Sequence, residues 1–371
     1  MIASSDFVKQ LNILNLSPFL MVPCSIFKHL NYYLINNQTE VIYPPNEAHA
    51  MGFVVGTYSA TGQPAVIFMQ NSGLNNIANA QTSLHALYKI PALLVISWRG
   101  EKSEAPEHDL MGKNLKAYLK LLKIPFRVLS EKGWEKSLKE MASLTRKTRQ
   151  PAAVIVRKGF FEEEEERTDD LSKRFPLSRY EAIKIIKNSF KNEAVFVSTN
   201  GHPTRDSFGV SPTPDFYMMG SMGHAFSVGA GTAWALNGRT PRGGKRKVVV
   251  FDGDGGCLMH LGSLALVNLV KQTNLIYVVL DNEAYESTGS QPCLSEKINF
   301  AQIAKGLGFP QVYSIKGRLE LKKTIKSLKP NQVAFIHIKV NRKKAKAPRV
   351  SDKYTCQQIA NRFAKRLRSG S

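Results

Sequence analysis

The stretch Lys247-Val248-Val249-Val250-Phe251-Asp252-Gly253-Asp254-Gly255-Gly256 decides the fold, because it joins a short β-branched run to a turn rich in glycine and aspartate. Such a run predicts a buried strand from Lys247 to Phe251. A helical pattern around Leu261 to Lys271 follows, and then a strand from Leu275 to Leu280 that ends in Asp281-Asn282-Glu283-Ala284-Tyr285. Strand, helix and strand in that order make a βαβ unit of a parallel sheet. Ligands of open parallel sheets sit beyond the carboxyl ends of the strands, so these two loops are the first candidates for a site.

Working outward, the same alternation continues with strands at Ala194 to Ser198 and Phe216 to Met219 and a helix near Ser227 to Leu236, and a further strand is expected at Ala334 to Lys339. The first half repeats the design: Val41 to Tyr43, a helix over Glu47 to Tyr58, Ala65 to Met69, a helix over Leu74 to Leu87, and Ala92 to Ile96. The fold class expected is α/β, with two doubly wound parallel-sheet domains. Between the halves, Phe160 to Phe175 carries the acidic run Glu162 to Glu166 followed by Arg167, Thr168, Asp169 and Asp170, with little apolar periodicity. It reads as a solvated linker, placing one domain at 1–165 and the other at 176–371.

The bulk composition narrows the class. With 371 residues, 43% hydrophobic and 22% charged, the chain can bury two ordinary cores. The formal net charge of +22 draws anions. Much of the excess lies in Arg342, Lys343, Lys344, Lys346, Arg349, Lys353, Arg362, Lys365, Arg366 and Arg368, opposed there only by Asp352. No zinc-finger spacing and no basic region running into heptads accompanies them, so a solvated tail or a field for an anionic substrate is expected, and nucleic acid is not. Cys24, Cys257, Cys293 and Cys356 are far apart, which suits a reducing compartment. Asp6 interrupts the apolar N-terminus and no later run is long enough to span a bilayer, so a cytoplasmic location and no membrane partner are expected.

The chemistry is carried by a few short segments. The glycines at Gly253, Gly255 and Gly256 let the backbone approach a diphosphate, while Asp254 and Asn282 could hold a hard cation against its oxygens. Magnesium suits this donor set, with oxygen ligands at about 2.0–2.1 Å. Gly-Asp-Gly alone also makes plain turns; the asparagine closing a strand about thirty residues on is what raises the specificity.

Together these segments resemble the thiamine diphosphate signature. The resemblance implies a metal held by Asp254, Asn282 and the main-chain carbonyl of Ala284, with Tyr285 next to the cofactor. It also implies that Gly220-Ser221-Met222-Gly223-His224 touches the diphosphate, and that Met222 wedges the cofactor into a bent form. The pyrimidine-activating carboxylate falls on Glu47 in Pro45-Asn46-Glu47-Ala48-His49-Ala50, although an acidic residue at a helix start also stabilises the helix by itself. An apolar surrounding would raise its pKa and let it share a proton with the cofactor.

Four segments, Met69-Gln70-Asn71-Ser72-Gly73-Leu74, Ser97-Trp98-Arg99-Gly100, Gly220 to Ala225 and Ala284-Tyr285-Glu286-Ser287-Thr288-Gly289, look like phosphonopyruvate decarboxylases, with sulfopyruvate decarboxylases as near relatives. The similarity runs from Val22-Pro23-Cys24-Ser25 to Ala334–Lys339 and leaves no room for the middle domain of larger thiamine decarboxylases. It implies decarboxylation of a small anionic 2-oxo acid, and a homodimer or larger homo-oligomer with shared active sites. The chain departs from the pattern at Cys24, often an aspartate, at Glu47-Ala48-His49, often Glu-Gly-Asn, and at Asp281-Asn282-Glu283, often Asn-Asn-Gly. Cys24, Ser25 and His49 are expected near the substrate. Arg99 and Arg205 are candidates for the acidic head group, since guanidinium forks fit tetrahedral oxyanions, and a structural ion pair is the competing reading of each. His108 and His224 are candidate proton carriers, with core histidines as the alternative. Gln70 and Asn71 are expected to hydrogen-bond the cofactor or the substrate.

Overall fold

The computed structural model describes residues 1–102, 104–166, 174–191, 193–237, 246–343 and 345–369. The chain divides into two compact units, Met1–Arg167 with Tyr285–Pro292, and Thr168–Ala284 with Cys293–Ser371. Residues 167–173, the middle of the expected linker, and Lys344 of the basic tail lie outside the described residues.

The first unit is built on six parallel strands: β1 (Phe19–Met21), β2 (Val41–Ile42), β3 (Ala65–Gln70), β4 (Ala92–Ser97), β5 (Phe126–Val128) and β6 (Ala152–Val156). Their order is β2-β1-β3-β4-β6-β5. The central strands are buried along nearly their whole length, as expected where helices cover both faces of a sheet. Alternate residues feed two cores. Val66, Phe68, Leu93, Val95 and Val154 pack with Phe7, Leu11, Leu30 and Leu138. Ile67, Met69, Leu94, Ile96 and Ile155 pack with Met51, Val54, Leu74, Ile77 and Leu115. That two-sided burial makes the unit doubly wound.

The second unit repeats the plan with β7 (Ala194–Ser198), β8 (Phe216–Tyr217), β9 (Lys247–Gly253) and β10 (Leu275–Asp281). After a two-stranded ribbon of β11 (Ala284–Tyr285) and β12 (Gln291–Pro292) come β13 (Gln311–Ile315) and β14 (Ala334–Lys339). The sheet order is β13-β14-β10-β9-β7-β8, again all parallel. One face buries Phe196, Val249, Phe251, Ile276, Val278 and Ile336 against Ile183, Ile186, Leu321 and Ile325. On the other side Phe226 packs on Tyr277 at 4.8 Å between ring centroids.

Several local expectations are corrected. The helix expected over Leu261 to Lys271 is a 3₁₀ turn, Leu261–Leu266, followed by the short helix Val267–Val270. The turn instead starts a helix at once, Asp254–Met259. The helix expected over Leu74 to Leu87 widens into a π-turn at Gln81–His85, where the buried His85 bonds the carbonyls of Ile90 and Met51 at 3.0 Å each. The strand at Phe216 stops at Tyr217.

The basic tail is not simply solvated. It ends in the helix Cys356–Arg368, capped reciprocally by Thr355 and Gln358, with Ile359 and Phe363 buried beneath it. Arg366 on this helix reaches the fully buried Asp215 at 2.8 Å, where Asp215 also meets Lys187 at 2.8 Å. The segment Tyr285–Pro292, which the sequence puts with the second domain, groups with the first unit, where Gly289 lies against Lys28 and Tyr32. All four cysteines are free, and no helix among the described residues is long and apolar enough to cross a membrane.

Candidate active site

Parallel strand order puts a switch point between β1 and β3 in the first unit and between β7 and β9 in the second, and ligand crevices open at such points. In the first unit the loops after β1, β3 and β4 converge there. Glu47 begins the helix Glu47–Thr61, whose first turn is capped by the Asn46 side chain accepting from the His49 amide at 3.0 Å. Its carboxylate is 5% exposed and accepts from Asn76 Nδ2 at 2.7 Å. Gly73 makes room for it, since a Cβ there would collide with Glu47 Oε1. Burial raises the Glu47 pKa, against the opposing bond from Asn76.

Beside it, Cys24, Gln70 and Ser97 form a chain: Ser97 Oγ donates to Cys24 Sγ at 3.1 Å, and Cys24 Sγ donates to Gln70 Oε1 at 3.4 Å. Gln70 Nε2 donates to Ser72 Oγ at 2.7 Å. Asn71 is committed to the protein, for its amide donates to the Arg99 carbonyl at 2.8 Å and accepts from the Arg99 amide at 3.3 Å. These bonds position the loop after β4. Arg99 donates through Nε to Glu104 Oε1 at 2.6 Å and through Nη1 to Ser25 Oγ at 2.9 Å. Arg99 is thus ion-paired, and it sits at the strand end bonded to Ser25. Burial, and then the Arg99 cation, lower the His108 pKa. His49 is exposed on its helix.

In the second unit, β9 and β10 are neighbours, with Leu280 opposite Gly253, so the two motif loops adjoin. Asp254 is 4% exposed and accepts from Ser295 Oγ at 2.8 Å, and the same hydroxyl lies 3.0 Å from Asp281 Oδ1. Burial, and then the Asp281 carboxylate, push the Asp254 pKa up to about 7. Asp281 differs. Though burial opposes its ionisation, His337 at 2.8 Å and Lys339 at 2.7 Å hold it below the ordinary carboxyl range. Asp254 is thus the buried carboxyl of this pair with no cation against it, and a metal ion would supply one. Asn282 Oδ1 accepts from the Ala284 amide at 3.2 Å across Glu283, whose φ of 58° turns the chain sharply. Arg342 braces that turn, donating to the carbonyls of Asn282 at 3.2 Å and Glu283 at 3.3 Å.

Among the described residues no three His, Cys, Asp or Glu side chains converge on a metal. A carboxylate, an amide and a main-chain carbonyl are a different set, and they match an ion that takes its remaining ligands from phosphate and water. Gly220 to Gly223 lead into the helix Ala225–Leu236, which has no side-chain cap on its first turn, so its leading amides suit an anion. Ser221 (φ 59°) and Gly223 (φ 87°) give the loop its left-handed turns, and a Cβ on Gly223 would strike the His260 ring. Met222 is half-buried, while the His224 ring is exposed, 4.6 Å from that of His260, with Nδ1 3.2 Å from the Ser221 carbonyl. Arg205 lies half-buried on the helix His202–Val210, in a different unit from Arg99. Tyr285 falls in the first unit and Ala284 in the second.

Sequence reasoning missed Asn76, Gly73 and Ser295. The first two lie within or just beyond a motif already singled out, a helical turn apart, whereas Ser295 follows the Tyr285–Pro292 excursion and has no local signature.

Residues 204–338 match the family model for the thiamine pyrophosphate enzyme, C-terminal TPP binding domain. The chain is 31% identical over 335 residues to the phosphonopyruvate decarboxylase of Streptomyces viridochromogenes, covering 85% of this chain and 82% of that one. It is 28% identical over 357 residues to the sulfopyruvate decarboxylase of Methanosarcina acetivorans, covering 89% of each. It is also 34% identical over 196 residues to the sulfopyruvate decarboxylase subunit beta of Methanothermobacter thermautotrophicus, covering 53% of this chain and 98% of that subunit.

Proposed function

The chain belongs to the thiamine diphosphate-dependent decarboxylases related to phosphonopyruvate decarboxylase, and we propose that it converts 3-phosphonopyruvate and a proton to phosphonoacetaldehyde and carbon dioxide. As a carbon–carbon lyase acting on a 2-oxo acid it needs an electron sink, which thiamine diphosphate supplies when bound. The observation that carries the assignment is the pair of buried carboxyls, Glu47 and Asp254, each lacking a cationic partner among the groups bonded to it.

Asp254, Asn282 and the Ala284 carbonyl would hold Mg²⁺, with Gly253, Gly255, Gly256 and the Gly220-Ser221-Met222 loop against the diphosphate. Glu47 would bind the pyrimidine edge, and its protonated carboxyl can donate there and take the proton back. Arg99, with Ser25 and Cys24, would take the head group, and His108 would carry a proton for product release. Arg205 and His224 are further candidates for those two tasks.

A homo-oligomer fits two helices that carry exposed apolar side chains. Phe53 on Glu47–Thr61 is 47% exposed, and Trp234 on Ala225–Leu236 is 45% exposed. Four cysteines outside any disulfide suit the cytoplasm. Sulfopyruvate is the second reading, supported by a match over 89% of both chains. Aldehyde formation from the two oxo acids, measured side by side with thiamine diphosphate and Mg²⁺, tests the choice. A larger kcat/KM for 3-phosphonopyruvate is expected, and a larger one for sulfopyruvate overturns it.

A further inference from the structure

Ser295 and Asp281 sit behind the proposed cation position, and no motif marks the pair as a functional unit. One hydroxyl, Ser295 Oγ, faces two buried carboxylates, Asp254 Oδ2 at 2.8 Å and Asp281 Oδ1 at 3.0 Å. Its single proton is shared between the two oxygens, so that Asp281 holds the hydroxyl in place while it donates to Asp254. Asp281 is independently fixed: His337 Nε2 and Lys339 Nζ meet its Oδ2, and the Glu283 amide donates to its Oδ1 at 3.0 Å. Both partners come from β14, the strand paired with β10 in register from Ile276 to Asp281. Asp254 has no such cationic clamp: the Ser295 hydroxyl and the Gly255 amide bond it, with the Asp281 carboxyl alongside.

We propose that Ser295, anchored by the clamped Asp281, is a positioning residue that aims Asp254 at a divalent cation, so that cation affinity depends on this hydroxyl. The inference rests on the assignment of Asp254 as a ligand. With Oδ2 tied to Ser295, the carboxylate is held in one orientation. The second carboxylate adds negative charge behind the first without competing for the ion, because Lys339 and His337 already occupy it. Partners that orient a metal ligand typically matter by about 10–100-fold in affinity.

The test is calorimetric titration of Mg²⁺ into the full-length protein with saturating thiamine diphosphate, comparing the parent with Ser295→Ala, Ser295→Thr and Asp281→Asn. The expected result is a dissociation constant weakened by about 10–100-fold in Ser295→Ala, and recovered to within a few-fold of the parent by Ser295→Thr, which keeps the hydroxyl. Asp281→Asn is expected to weaken it too, by releasing the anchor. Should Asp281→Asn fail to fold, the serine pair decides alone. A Ser295→Ala protein that binds Mg²⁺ within about two-fold of the parent overturns the positioning role while leaving Asp254 as ligand. A parent protein with no Mg²⁺-dependent uptake of the cofactor overturns the ligand assignment and this inference with it.

Discussion

Glu47 is a carboxyl that the fold keeps from water and gives one neutral donor, Asn76, and that economy sets two opposing demands on the residue. Replacing it with Gln should slow turnover by about 10²–10⁴, the usual scale of lost acid–base assistance, measured as kcat on the chosen oxo acid. The same change should stabilise the fold. A carboxyl whose folded pKa is raised binds more protons in the folded than in the unfolded state, so its contribution to stability is full at low pH and is lost as pH rises through the ordinary carboxyl range toward the folded value. Thermal denaturation should therefore show Glu47→Gln melting above the parent near neutral pH, with the difference vanishing below about pH 4. Equal melting temperatures at both pH values would mean that burial does not strain this group. At this scale the sequence was informative where a side chain lies inside a motif, as for Glu47 and Asp254. It was silent where a partner arrives from afar, as Ser295 does, because hydrogen bonds between distant loops leave no spacing to read.

Elements were legible in proportion to how regular they are. The long parallel strands from Ala65 to Gln70 and from Leu275 to Asp281 follow from unbroken apolar runs, since both faces of each are covered. The helix expected after Gly256 failed because Leu261–Leu266 takes the tighter 3₁₀ form, which hydropathy alone does not distinguish. The C-terminal helix was hidden by its charge. Its signals were Thr355 with Gln358 as a reciprocal cap and Ile359 with Phe363 one turn apart, while the cations of the stretch suggested a solvated tail or a field for an anionic substrate. This helix is tied to the sheet through Arg366 and the buried pair of Lys187 and Asp215, where Lys187 also donates to the carbonyls of Ser207 and Ser211 at 2.9 Å each. Lys187→Ala should cost about 3–5 kcal/mol in urea unfolding, the scale for stripping one member from a buried ion pair. A loss under about 1 kcal/mol would place Arg366 as sufficient partner for Asp215.

The whole molecule consists of two units of the same build, one carrying Glu47 and the other Asp254 and Asn282, and each carries an exposed aromatic on a helix that starts at its motif. If those helices meet a second copy, Phe53→Asp and Trp234→Asp should shift the assembly toward monomer in sedimentation velocity, while the parent remains a dimer or larger; unchanged sedimentation would remove these faces from the interface. Duplication of a doubly wound plan was readable from alternating strands and helices, but the return of Tyr285–Pro292 to the first unit was not, since a chain excursion depends on contacts far apart in sequence. The most direct check on the account is calorimetric binding of thiamine diphosphate with and without Mg²⁺ to the parent and to Asp254→Ala. Saturable binding that requires Mg²⁺ in the parent and disappears in Asp254→Ala is the predicted result, and equal affinity in the two proteins would contradict it.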